Sequence, residues 1–299
     1  MTSVSRADQM TTPSQCSIIS PYPPKAALEA AFQAVRKARV PQIPDVVLAL
    51  RAELTRPEPN LRVVADLIAQ DLALTGQILK KVNAPIFARR TKIASVQQAV
   101  MLLGINQLVN LVTATSIERM LGDAKGSARV VWESIMEQAR VATIISGLVE
   151  GIGSEEAYLF GLMHDVGSLI FADLLENYGY EWVLRFGAPQ SLMEHERAAL
   201  GADHATVGFL LASTWQLPEH LALAIYHHHA ARDHALDDPR VHSLIAIAQL
   251  SHYLIALSLG NHELPEMIAY RDAARRELEL SEDDWSSLCG RSLQDGWGA

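Results

Sequence analysis

All eleven histidines lie between His164 and His262, and the first is followed at once by a carboxylate in Gly161-Leu162-Met163-His164-Asp165-Val166-Gly167. His204 and the run His227-His228-His229 come later. Imidazoles mixed with a carboxylate are donors for a divalent ion such as Fe, Mn or Zn. Such an ion can acidify a bound water and polarise a phosphoryl oxygen, so the chemistry in question is metal-assisted hydrolysis. Neighbours in a regular helix point about 100° apart, so His164 and Asp165 cannot both face one ion from a helix interior. A helix end or bend removes that restriction, and Gly161 and Gly167 bracket one. The candidate ligands are therefore His164, Asp165, His204, and His227 or His228. The competing reading needs no cofactor: His164 and Asp165 hydrogen-bond each other and nearby backbone and hold helix ends together.

The elements that must position these residues read as helices throughout. Residues 1–24 are rich in Ser, Thr, Pro and Gln and are expected to form a disordered leader. Val46, Val47, Leu50 and Leu54 share one face of a helix opened by Pro44. Asn60 suits the N-cap of the next, which carries Leu61, Val64, Leu67 and Ile68. Another follows with Leu74, Ile78, Leu79 and Val82. Ser95 with Gln98 forms a capping box, Gly104 ends that helix, and Asn106 is expected to cap its successor. Gly122 and Gly126 mark an internal break, after which a helix runs from about Ala128 to Val149. Ser154 starts the helix that delivers His164. Ser191 with Glu194 gives a second capping box, Asp203 caps the helix of His204, and Pro218 starts the one ending in the histidine run. Pro239 and Pro265 precede two more. The expectation is an all-α fold divided into a leader (1–24), an N-terminal helical lobe (25–122), a second lobe (127–262) and a C-terminal appendage (263–299).

Gly-Leu-Met-His164-Asp165-Val-Gly resembles the core of the HD superfamily of metal-dependent phosphohydrolases. Three further segments resemble the HDOD domain, a relative found in bacterial signalling proteins: Val40-Pro41-Gln42-Ile43-Pro44, Asp71-Leu72-Ala73-Leu74-Thr75 running to Asn83-Ala84-Pro85, and Ser95 to Gly104. Leu200 to Gly208 and Ala224-Ile225-Tyr226-His227-His228-His229 continue the match, which covers roughly residues 38–260. The resemblance implies an N-terminal helical bundle packed on an HD-like lobe.

It also implies a ligand set: an early histidine, the His-Asp pair and a late aspartate. Ser134 is expected where the early histidine belongs, and Ala248-Gln249 where the late aspartate belongs. The related HD-GYP phosphodiesterases place a lysine three residues after the pair, where this chain has Ser168. Their Gly-Tyr-Pro element is absent, since Ala230 and Ala231 follow the histidine run. Neutral Ser and Gln are poor substitutes for an imidazole and a carboxylate. The expectation is a degenerate metal site in a regulatory protein that works by binding proteins or ligands without hydrolysis. Two alternatives stay open: a phosphohydrolase or cyclic-dinucleotide phosphodiesterase with an altered metal site, and a non-hydrolysing nucleotide-binding regulator.

Composition narrows the partners. The chain has 299 residues and a formal net charge of −9, which argues against a general nucleic-acid binder. Asn106 to Ser116 holds no lysine or arginine, so the bend at Gly104 does not introduce a DNA-reading helix. Lys80, Lys81, Arg89, Arg90 and Lys92 form a basic stretch for a phosphate, a nucleotide or an acidic partner surface, or else a solvated loop. Two cysteines without framework spacing, no signal peptide and no uninterrupted apolar run of about 18 residues point to a cytoplasmic protein with no membrane span. Signalling proteins are the expected partners, with a cyclic dinucleotide and a second copy of the chain as further classes. Cys16 and Cys289, lying in the termini, make poor nucleophiles, and Trp285 and Trp297 in the tail could dock on the body or on a second subunit.

Overall fold

A computed structural model describes residues 20–38, 40, 42–87, 92–230, 236–294 and 297, and among them every regular element is a helix. In the first lobe, α2 (Asp45–Leu54), α3 (Leu61–Ala69), α4 (Leu72–Val82) and α5 (Val96–Leu103) surround α6 (Ile105–Leu121). Helix α6 is buried continuously from Leu108 to Ile117, which explains why its sequence shows no clean polar face. Asn60 accepts from the amides of Arg62 and Val63, and Asp71 from that of Leu74. Ser95 Oγ accepts from Gln98 N, while Gln98 Oε1 reaches back to Ala94 N. Asn106 caps nothing. Gly104, at φ 77°, takes the N-cap position of α6, because the chain turns there through a conformation that favours glycine.

The second lobe is built on α7 (Ser127–Ser146), α8 (Ser154–Met163) and α14 (Pro239–Ser258). Around them lie α9 (Ser168–Leu174), α10 (Tyr178–Arg185), α11 (Pro189–Leu200), α12 (His204–Thr214) and α13 (Glu219–His227). Helix α8 packs on both α6 and α7 and joins the lobes, and its Tyr158 donates to Glu118 of α6. Helix α1 (Lys25–Val35), expected with the first lobe, packs against α12 of the second. The expected capping box at Ser191 is replaced by Pro189 at the start of α11. Ser191 Oγ accepts instead from Arg185 Nε.

The C-terminal appendage is more ordered than its composition suggests. Helix α15 (Pro265–Glu277) lies along α14, and α16 (Glu282–Gln294) covers the far end of α14. Arg275 pairs with Glu282 and lies over the Trp285 ring, and Trp297 is buried. Two segments, Ser154–Leu174 and Pro239–Ser258, are long and apolar enough to cross a membrane by length and composition. Both lie mostly inside the fold, with 83% and 72% of their apolar windows buried.

Two buried charged groups make testable contributions outside the histidines. Arg51 of α2 is buried, and its Nη2 donates to Asn110 Oδ1 at 3.3 Å and Thr113 Oγ1 at 3.1 Å. Burial pulls its pKa down to about 10, and no carboxylate pairs with it among the described residues. Neutral partners recover little of the cost of desolvating a guanidinium. Arg51→Met is expected to be within about 1 kcal/mol of wild type, or more stable, in urea unfolding. A loss above about 3 kcal/mol would show that the neutral partners suffice after all. Glu156 of α8, also buried, accepts from His220 at 2.8 Å and Arg240 at 2.5 Å and so ties α13 and α14 to α8. Burial would raise its pKa, but these two partners outweigh it and hold the carboxyl below its ordinary value of 4.5. A depressed carboxylate contributes stability above its unfolded pKa and loses it as pH falls through the folded one. Glu156→Gln is therefore expected to cost about 1–3 kcal/mol at neutral pH, discounted for solvent at Arg240. The gap to wild type should close as thermal unfolding is followed below pH 4.5. A gap that stays constant down to pH 3 would be inconsistent with a charge effect.

Candidate functional site

His164 is the C-cap of α8, and Asp165 lies in the tight turn between α8 and α9. That turn lets two adjacent side chains face the same volume. Two close approaches fix its position. A Cβ on Gly161 would stand 2.5 Å from Ala139 Cα of α7, and one on Gly167 would stand 2.1 Å from the His204 carbonyl oxygen of α12. Only hydrogen in place of a side chain lets α7 and α12 come this near.

Asp165 is fully buried at the centre of a histidine cluster. Its Oδ1 lies 3.1 Å from His228 Nε2 and 3.5 Å from His204 Nε2. Its Oδ2 lies 3.1 Å from His164 Nε2, 3.6 Å from His252 Nε2 and 3.0 Å from Gln138 Nε2. His204 and His229 face one another with their Nε2 atoms 2.9 Å apart. Four of the rings are steered from behind. His164 Nδ1 meets the Gly161 carbonyl at 2.9 Å, His228 Nδ1 meets the Ile225 carbonyl at 2.6 Å, and His229 Nδ1 meets Tyr270 Oη at 2.7 Å. His204 Nδ1 is held by both oxygens of Glu196, to which Tyr178 Oη also donates.

The electrostatics follow from burial set against these partners. Burial opposes the Asp165 charge, yet His164, His228 and His252 together hold its carboxyl well below the usual range. Burial likewise opposes charge on His204, but Glu196 outweighs it and pushes the imidazole up to about 9. Burial dominates at the other rings: it lowers His228, takes His229 well below the ordinary value and His252 to about 3. These three are neutral imidazoles, the form that donates a lone pair to a metal.

The donor set fits a divalent ion. One ligand atom each from Asp165, His228, His229 and His252 lies within 4.8 Å of the others. Tetrahedral bonds of about 2.1 Å hold donors about 3.4 Å apart, so these side chains would draw inward onto an ion. Both ring nitrogens of buried His252 lack a hydrogen-bond partner among the described residues, and an ion would take the lone pair of one of them. The cavity against His229 and His252, lined by Trp182, Arg185, Phe186, Pro189 and Leu192, has a volume of about 10 Å³, room for a single water.

The structure brings some of the expected residues together and separates others. His164, Asp165, His204 and His228 converge. His227 does not: it is the last residue of α13, its Nε2 meets the Pro21 carbonyl at 2.7 Å, and it lines a separate cavity with His242, Ile245 and Arg276. From α7 the residue that meets the His-Asp pair is Gln138, one turn after the expected Ser134. From α14, Gln249 donates to the His228 and Ala230 carbonyls beyond the end of α13, and His252, one turn later, faces Asp165. Ser168 is fully buried at the start of α9. His229, His252, Tyr270 and Glu196 were missed by sequence reasoning. The helical spacing that places His252 one turn from Gln249 is the signal that marks it in the sequence. In the basic stretch, Lys81 is not free, since Glu118 takes it at 2.6 Å. Lys80 and Lys92 are exposed, and Arg89 and Arg90 lie outside the described residues.

Known proteins place this architecture. A 27% identical match runs over 196 residues of an uncharacterized protein of Treponema pallidum (strain Nichols), taking 64% of this chain and 37% of that protein. The chain thus spans little more than a third of the length of this curated relative. The crystal structure of an HDOD domain protein with unknown function from Geobacter sulfurreducens superposes with a TM-score of 0.63 at 22% identity, covering 90% of this chain and 98% of that one. A Shewanella amazonensis SB2B protein, provisionally called a metal-dependent phosphohydrolase, superposes with a TM-score of 0.59 at 17% identity, covering 90% and 95%. At these identities the likeness is one of fold. The HDOD domain family model matches residues 40–231, nearly two thirds of the sequence and the segment that carries His164, Asp165, His204 and His228. On that match, the chain belongs to the HDOD domain family.

Proposed function

We propose that this chain is a regulatory protein of bacterial signal transduction that acts by binding proteins or ligands and does not hydrolyse phosphate esters. One observation carries the reading: the cluster that would do the chemistry is closed. His164, Asp165, His204, His228, His229 and His252 are all buried, and the cavity against His229 and His252 is water-sized. Metal-assisted hydrolysis needs an open coordination position and a path for the phosphate to reach it. Gln138 in place of an imidazole and Gln249 engaged with backbone carbonyls support the same reading. Exposed apolar side chains on α10, Tyr180, Val183 and Leu184, are the kind of surface that binding proteins present.

The test is turnover by the full chain supplied in turn with Fe(II), Mn(II) and Zn(II). Bis-p-nitrophenyl phosphate and cyclic dinucleotides serve as substrates. No turnover above the protein-free rate is expected. Saturable hydrolysis that disappears in Asp165→Ala would overturn the proposal.

A further inference from the structure

Asp165 is fully buried, and four buried rings, His164, His204, His228 and His252, turn Nε2 toward its two oxygens at 3.1 to 3.6 Å. The His164 and His228 rings are fixed through Nδ1 at the Gly161 and Ile225 carbonyls, so Nε2 is the atom each presents to the centre. Both ring nitrogens of His252 lack a hydrogen-bond partner among the described residues. One donor atom each from Asp165, His228, His229 and His252 lies within 4.8 Å of the others.

We infer that Asp165, His228, His229 and His252 form a closed site for one first-row transition-metal ion, in which His229 and His252 replace the missing early histidine and late aspartate. Three imidazoles and one carboxylate suit Zn, Fe(II) or Co(II); Mg and Ca, which require oxygen donors, are disfavoured. Four protein ligands without an open position make a structural rather than a catalytic centre. Tyr270, at His229 Nδ1, orients that ring from behind. His252 and Tyr270 come from α14 and α15, beyond the segment that the family model matches. The ion would therefore fasten these two C-terminal helices onto the HDOD body.

This inference rests on the reading of a sealed, non-hydrolytic cluster, so metal content and turnover are measured separately. The full chain, purified without added metal and stripped with chelator, is titrated with Zn(II) and with Co(II). Elemental analysis, the visible Co(II) ligand-field bands and the thermal midpoint are recorded. About one ion per chain, Co(II) bands and a higher midpoint on loading are expected. His252→Ala and His229→Ala should each weaken binding by about tenfold or more. His227→Ala, the neighbour that faces Pro21, should bind as wild type does. Wild-type protein that is folded by circular dichroism yet takes up no ion overturns the site without a variant, so a misfolded His252→Ala leaves the test intact. Unchanged Co(II) affinity and bands in folded His252→Ala also overturn it. Metal-dependent turnover would remove both the proposed function and the closed, structural character of the site, whereas absence of uptake removes the site alone.

Discussion

Asp165→Ala is expected to lower the thermal midpoint of the loaded protein by about 6–12 °C. The carboxylate is the one fully buried negative charge that touches His164, His204, His228 and His252 together. Removing one partner of a buried charged network typically costs about 3–5 kcal/mol, because the remaining groups stay desolvated. At about 2–4 °C per kcal/mol for chains of this size, taken near the lower end, the loss reaches that range. Asp165→Asn separates charge from shape. Its amide keeps the shape of the carboxylate and a hydrogen bond to His164 Nε2 or His228 Nε2, so stripped Asp165→Asn should melt closer to stripped wild type than stripped Asp165→Ala does. Under Zn(II), wild type should rise and Asp165→Asn should not, since a neutral amide is a poor ligand. Calorimetry of the three proteins with and without chelator decides this. Equal midpoints for wild type and Asp165→Ala would mean that the carboxylate is not what organises the cluster.

The sequence was legible where chemistry is local. Pro44, Asn60, Ser95, Asp203 and Pro218 mark helix starts by caps or by fixed backbone angles, and each stands at the start of its helix. Signals failed where two residue types suit the same position. Asn106 is a good cap by type, yet the turn is made one step earlier by Gly104 at positive φ. Helix α16 went unseen because Glu282–Gln294 offers few apolar residues, and it is held by Leu288 and Ser292 against α14.

The site was half legible for a related reason. A dipeptide such as His164-Asp165 announces itself, whereas His252 stands alone in a helix that is apolar on nearly every side. Thirteen of the twenty residues of α14 are buried, so no stripe tells which face meets α8 and α13. Ser134 and Gln138 are four apart and share a face, so a ligand position inferred by counting along α7 can slip by one turn. The histidine run posed the opposite difficulty. His227 ends α13 while His228 caps it, and the end of the helix sends His227 outward and His228 and His229 inward.

Gly167→Ala should produce the second large effect, by geometry alone. Gly167 has φ −58° and ψ −33°, angles that alanine adopts freely, so no backbone strain is introduced. The added methyl would instead stand 2.1 Å from His204 O and 2.9 Å from Gly208 N, both backbone atoms of α12 that cannot rotate aside. Relief requires α9 and α12 to part by about 1 Å, toward ordinary van der Waals separation. Overpacking of this kind costs about 1–3 kcal/mol, and the backbone on the receiving side places it at the upper end. The displacement also carries His204 away from Asp165, 3.5 Å distant, and away from His229. The expected result is a midpoint lower by about 5–8 °C and weaker Co(II) uptake, although no ligand has been replaced. Gly76→Ala provides the contrast. Its Cβ would meet nothing within 4 Å inside α4, so it should raise stability by about 1 kcal/mol. If Gly167→Ala melts and binds Co(II) as wild type does, the tight α9–α12 contact is not what sets the histidines in place, and the cluster must be held from α14 and α15.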